Sequence, residues 1–154
     1  MTQMKPTIWI DADACPKIIK DVIFTFSGRL NLQVILVANM RMQIPSSPLV
    51  SLVVVKLGAD VADHYIAEHC LATDIVITAD IPLASLIVAK GAVALNVRGE
   101  LYTEENIGER LSLRDFMKEV RDSGEKTGGP APFGPKDKEL FTNSLNRLLT
   151  KRLK

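Results

Sequence analysis

Three short segments place carboxylates at regular points along this chain: Asp11-Ala-Asp13, Gly58-Ala-Asp60-Val-Ala-Asp63 and Thr78-Ala-Asp80. Each follows an apolar run and precedes a helix-like stretch. Several carboxylates gathered at one place repel unless a cation or a raised pKa relieves them. Oxygen-only donors suit Mg²⁺ or Mn²⁺, with water and a substrate phosphate completing the shell. Asp11, Asp13, Asp60, Asp63 and Asp80 are therefore the candidate metal ligands, and Asp11, Asp63 and Asp80 the candidate catalytic acids. An ion held there could activate water and neutralise a phosphoryl oxygen. Arg41 and Arg98 could orient that phosphate through forked hydrogen bonds, with Asn39, Thr78 and Asn96 as further substrate contacts. The competing account is helix capping, since Asp is a favoured N-cap and Asp60 with Asp63 could form a capping box. Capping does not account for Asp11, two positions ahead of a cap at Asp13.

Convergence of these acids depends on the elements between them. Apolar runs at 7–10, 33–37, 50–55, 74–78 and 92–97 read as strands. Helical patterns lie between most of them, at about 16–27, 61–70 and 83–89, with Gly28 as a stop for the first. Residues 39–49, with Pro45 and Pro48, read as a loop. Strands apolar on both faces and separated by helices predict an α/β fold of three α/β/α layers around a mostly parallel sheet of about five strands. Right-handed crossovers would point every strand the same way and bring the loops after them to one edge, where open α/β sheets bind ligands. A helix is expected over 103–122, then Gly124 and the Gly/Pro run 127–135, then a basic amphipathic helix over about 138–153. Residues 1–125 form the expected domain, with 126–154 packed on it.

The five stretches WIDADACP, GADVADHYIAEH, DIVITADIPLA, LNVRGELYTEENI and GGPAPFGPKDKELF closely resemble the bacterial YaiI/YqxD family and span nearly the whole chain. That resemblance implies a PIN-like, Rossmann-like fold and brings no established activity. PIN-domain nucleases, which cut RNA with Mg²⁺ or Mn²⁺, supply the functional analogy. Their acid after the first strand is similar to Asp11, their D-x-x-I helix start to Asp63-His-Tyr-Ile66, and their T-x-D motif to Thr78-Ala-Asp80. Two departures stand out. No Glu precedes Glu68, so Asp13 or Asp60 would have to replace the usual central Glu, and Ile81, Pro82 and Leu83 occupy the place of a further acid. The resemblance thus points to a metal-dependent ribonuclease or phosphodiesterase. The alternative is a non-catalytic nucleic-acid- or protein-binding module on the same scaffold.

Asp11-Ala-Asp13-Ala-Cys15 also resembles the start of haloacid-dehalogenase-type phosphatases, in which the first Asp is the nucleophile. The order of the remaining motifs is wrong for that class, because the Asp60/Asp63 segment precedes Thr78. Cys15, at a helix start, is a candidate thiolate or a small packed residue. His64 and His69 are five apart, the wrong spacing for a metal pair on one helix face. His64, beside Asp63, could shuttle a proton or stand as a surface residue.

Length and charge bound these readings. The 154 residues predict one domain able to bury a core without staples. Two cysteines and no long apolar run suggest a reducing, cytoplasmic setting and no membrane span. Nineteen Lys/Arg against eighteen Asp/Glu conceal an asymmetry. Residues 136–154 carry +4, and residues 1–135 carry −3. The basic helix could follow an RNA or other nucleic-acid backbone. Alternatively, its leucines could dock on the body or on a second copy of the chain, giving a homodimer.

Overall fold

The computed structural model describes residues 5–58, 60–122 and 133–153. Six strands form one sheet: β1 (Ile8–Asp11), β2 (Val34–Ala38), β3 (Val50–Val54), β4 (Ile75–Ile77), β5 (Val93–Leu95) and β6 (Leu101–Tyr102). Among the described residues, five α-helices accompany them: α1 (Lys17–Leu30), α2 (Val61–His69), α3 (Ile81–Lys90), α4 (Glu104–Asp122) and α5 (Pro135–Arg152). The strand order is β3-β2-β1-β4-β5-β6, parallel throughout except that β6 runs against β5. The expected three-layer α/β/α fold with a mostly parallel sheet is present.

Alternation along each strand sorts the two faces, as the pleat requires. Ile8 and Ile10, Val34 and Leu36, Ile75 and Ile77, and Leu95 share one core with Ile19, Ile23 and Phe26 of α1 and with Phe141, Leu145 and Leu149 of α5. Trp9, Val37, Val76 and Ala94 pack on the opposite face with Ile66 of α2 and with Leu83, Ala84 and Ile87 of α3. Both faces are covered, which is why the strands carry apolar residues at successive positions. The basic helix α5 contributes its Phe141 and leucine stripe to the first core, leaving its cations toward solvent.

Two features differ from the sequence reading. Helix α1 runs two residues past Gly28 to Leu30 and is capped by Asn31, whose left-handed φ of 59° lets its N–H bond the Ser27 carbonyl. Gly28 is tolerated inside the helix because α1 is fixed by the buried Ile19, Ile23 and Phe26. The second difference is β6, which reverses direction because only five residues, Asn96–Glu100, separate it from β5. A parallel return would need a longer crossover. As the sequence suggests, the parallel pair β2/β3 is joined by the loop of residues 39–49 without a helix. Met42 and Ile44 from that loop pack on the α1 side of the sheet, covering the face a helix would otherwise cover. Most of the expected Gly/Pro linker lies outside the described residues. Its end is described: Phe133 packs against the core beneath the Arg98 guanidinium, 5.6 Å from the ring centre.

Candidate functional site

The sheet grows from β1 toward β2 and β3 on one side and from β4 toward β5 and β6 on the other. The boundary between β1 and β4 is therefore its topological switch point, where open α/β sheets leave a crevice at the strand C-termini. Asp11 ends β1 at that point, and Thr78 follows β4. The Thr78 hydroxyl donates to Asp11 Oδ2 at 3.0 Å and accepts the Asp80 backbone N–H at 3.0 Å. One buried hydroxyl thus joins the ends of the two central strands and fixes where Asp80 begins α3. Asp80 in turn accepts the Leu83 N–H at 2.8 Å as the helix N-cap.

Asp63 enters from α2, in the first turn of a helix packed over β1 and β2. Burial pushes its carboxyl up to about 7, reinforced by the charges of Asp80, Asp11 and Asp60 and by a hydrogen bond shared with Asp80. Asp11 is also held above the usual carboxylate range. Burial is the main cause there, opposed by the Thr78 hydrogen bond and supported by the charges of Asp80 and Asp13. Acids from β1, α2 and the β4–α3 junction therefore feel one another strongly. Near neutral pH a proton relieves Asp63, and a bound cation could replace that proton.

The other sequence candidates are placed differently. Asp13 sits in a single 3-10 turn, Ala12–Ala14, and its exposed carboxylate accepts the Asn39 N–H at 2.9 Å. It ties the loop after β2 to the end of β1. Asp60 precedes α2 with a left-handed φ of 65° and makes no side-chain cap, so it forms no capping box with Asp63. Capping thus explains Asp80 alone among the helix-start acids, and Asp80 both caps α3 and belongs to the acidic group. Asn96 is occupied as a turn staple: its Oδ1 accepts the Arg98 N–H at 2.7 Å and its Nδ2 donates to the Tyr102 hydroxyl at 2.9 Å. Arg98 pairs with Asp137 of α5 at 2.8 Å, and Asp137 also accepts the Gly134 N–H. Arg41 is exposed in the β2–β3 loop. Cys15 is buried with its thiol pushed up to about 12, which makes it a packed thiol and no nucleophile.

Sequence reading missed two residues beside the acids. Tyr102, in the unforeseen β6, feels the Asp80 charge. Arg114 of α4 lines a groove of about 190 Å³ together with Asp60, Asp63, His64, Pro82, Leu83 and Leu86. A lone arginine on a polar helix reads as solvated, so only the packing of α4 on α3 could reveal it. The buried Asp74 belongs to a separate structural role at the opposite strand end, accepting Thr7 N–H, Leu71 N–H and Trp9 Nε1–H at 3.0, 2.8 and 3.0 Å.

Among the described residues no three His, Cys, Asp or Glu side chains form a ready metal cage. A closed protein-ligated site does not fit. An ion held by two of the carboxylates, with waters and substrate oxygens in the remaining positions, does fit, and Mg²⁺ is commonly bound in that way.

The family model described as "Uncharacterized BCR, YaiI/YqxD family" matches residues 9–151. A UPF0178 protein of Trichlorobacter lovleyi is 57% identical over 148 residues, covering 96% of both chains. Others from Geobacter metallireducens and Pseudoalteromonas atlantica are 56% and 51% identical, covering 96% and 94% of this chain and 95% and 99% of their own. No solved structure matches this chain.

Proposed function

The chain belongs to the YaiI/YqxD family, and from that premise we propose that it is a divalent-metal-dependent phosphodiesterase acting on RNA. The observation that carries this reading is the meeting of Asp11, Asp63 and Asp80 from three separate elements at the sheet's switch point. Asp11 and Asp80, oriented through Thr78, are the fixed pair that would hold Mg²⁺ or Mn²⁺. When bound, such an ion makes water more acidic and offsets charge on a phosphoryl oxygen. Thr78 holds the Asp11 carboxylate in one orientation, leaving its Oδ1 for the ligand. Asp63, hydrogen-bonded with Asp80, would be a further ligand or proton carrier beside such an ion. His64, exposed on the next residue, is placed to pass a proton to solvent.

Incubation of a labelled RNA oligonucleotide with Mn²⁺ tests the reading. Wild type is expected to cleave it, and Asp11→Asn is expected to lose at least about a hundredfold in rate, in line with the loss of a preorganised charged group. A wild-type protein that leaves RNA intact in both Mg²⁺ and Mn²⁺ overturns the reading. The second reading is a nucleic-acid- or protein-binding module without catalysis, consistent with the absence of a three-ligand cage among the described residues. Under that reading RNA binding would survive both Asp11→Asn and Asp80→Asn.

A further inference from the structure

The groove beside the acidic group has two walls of opposite charge. Asp60, Asp63 and His64 stand on the α2 side, and Arg114 stands on α4. Helices α2 and α4 each pack on α3, so the first turns of α3 form the floor between them, with Pro82, Leu83 and Leu86. Leu86 is 49% exposed, an apolar surface open to the groove. The ion pair of Arg114 is with its neighbour Asp115, at 3.3 Å and largely solvated. The Arg114 guanidinium and the Asp63 carboxyl thus line the same groove from opposite helices.

We propose that Arg114 grips a backbone phosphate of single-stranded RNA in this groove, beside the acids. This rests on the phosphodiesterase reading and adds a substrate-positioning residue to it. A guanidinium forks onto two phosphate oxygens, which an acidic wall alone would repel. The groove's 190 Å³ is below the 300–1,000 Å³ of pockets that enclose a small molecule. A sugar-phosphate unit of a longer strand passing through fits that size better than a free nucleotide held inside. The exposed Leu86 offers a sugar or base an apolar contact. Neither arginine first assigned to phosphate lines this groove, and Arg98 is engaged with α5.

Fluorescence anisotropy of a short labelled oligouridylate, measured in EDTA and in Ca²⁺, tests the proposal. Arg114→Ala is expected to weaken binding about tenfold or more, the equivalent of one charge-assisted contact. Arg114→Lys should recover only part of it, because an ammonium cannot fork. Arg147→Ala, a cation of α5 on the other side of the sheet, should change affinity by less than about twofold, as expected of a solvated charge. Thermal melting checks that each variant is folded, and Arg114 is exposed enough to be replaced without loss of core. Equal affinity of wild type and Arg114→Ala, or no RNA binding by wild type, overturns the proposal. An Arg114 effect in a protein that fails to cleave RNA with Mg²⁺ or Mn²⁺ removes the catalytic reading and leaves the phosphate contact standing.

Discussion

Thr78 shows how much one side chain can organise. Its buried hydroxyl donates to Asp11 and accepts from the Asp80 backbone. Thr78 therefore positions both acids. Asp63 carries the clearest pH consequence. Its proton is held to about 7 in the folded chain, against an ordinary 3.8. Between those values the folded state binds the extra proton, so this contribution to stability is full below about 3.8 and is lost as pH rises through about 7. Asp63→Asn removes the repulsion. The variant is expected to melt at a higher temperature than wild type at pH 8, with the gap closing toward pH 4 in a series of thermal melts. A gap that stays constant with pH would show that Asp63 is not strained by its neighbours. The residue types of the site were legible because Asp11, Asp63 and Asp80 each follow an apolar run. That Asp60 forms no capping box with Asp63 was not legible, because side-chain direction at a helix start depends on backbone angles such as the positive φ of Asp60.

Among the elements, α5 is held by its apolar stripe: Phe141, Leu145 and Leu149 are buried in the α1-side core. Gly99 makes that docking possible. It adopts a φ of 88° in the β5–β6 turn, and a Cβ there would stand 2.6 Å from the Leu140 carbonyl carbon and oxygen. The Gly99 carbonyl also accepts the Ser144 hydroxyl at 2.6 Å, and Arg98 beside it pairs with Asp137. Gly99→Ala is expected to cost about 1–3 kcal/mol from the backbone conformation alone, more with the clash, measurable by urea unfolding. Stability equal to wild type would mean that the turn and α5 can separate freely. The alternation of strands and helices was readable because each apolar run is short and uninterrupted. β6 was not, because two residues carry no periodicity and only the tight turn before them forces pairing.

At the scale of the whole molecule, the near-neutral net charge divides between two places. The acids meet at the C-terminal edge of the sheet, and the basic helix lies across one face. Alternating strands and helices predicted a parallel sheet but left its order open, since right-handed crossovers can run to either side of β1. The observed order puts β4 against β1, and this adjacency brings Asp11 within one hydroxyl of Asp80. The site is thus a product of topology as much as of local sequence. The account also implies that metal binding displaces the proton near Asp63, so the rise in melting temperature caused by Mn²⁺ should be larger at pH 8 than at pH 6. A rise independent of pH would place the ion away from Asp63. The most direct test of the central claim is calorimetric titration of Mn²⁺ into wild type, Asp11→Asn and Asp13→Asn. Asp13→Asn keeps an oxygen for the Asn39 N–H and lies outside the proposed ion pair of ligands. The account predicts one Mn²⁺ site in wild type and Asp13→Asn and none in Asp11→Asn; no binding by wild type, or equal binding by all three, would contradict it.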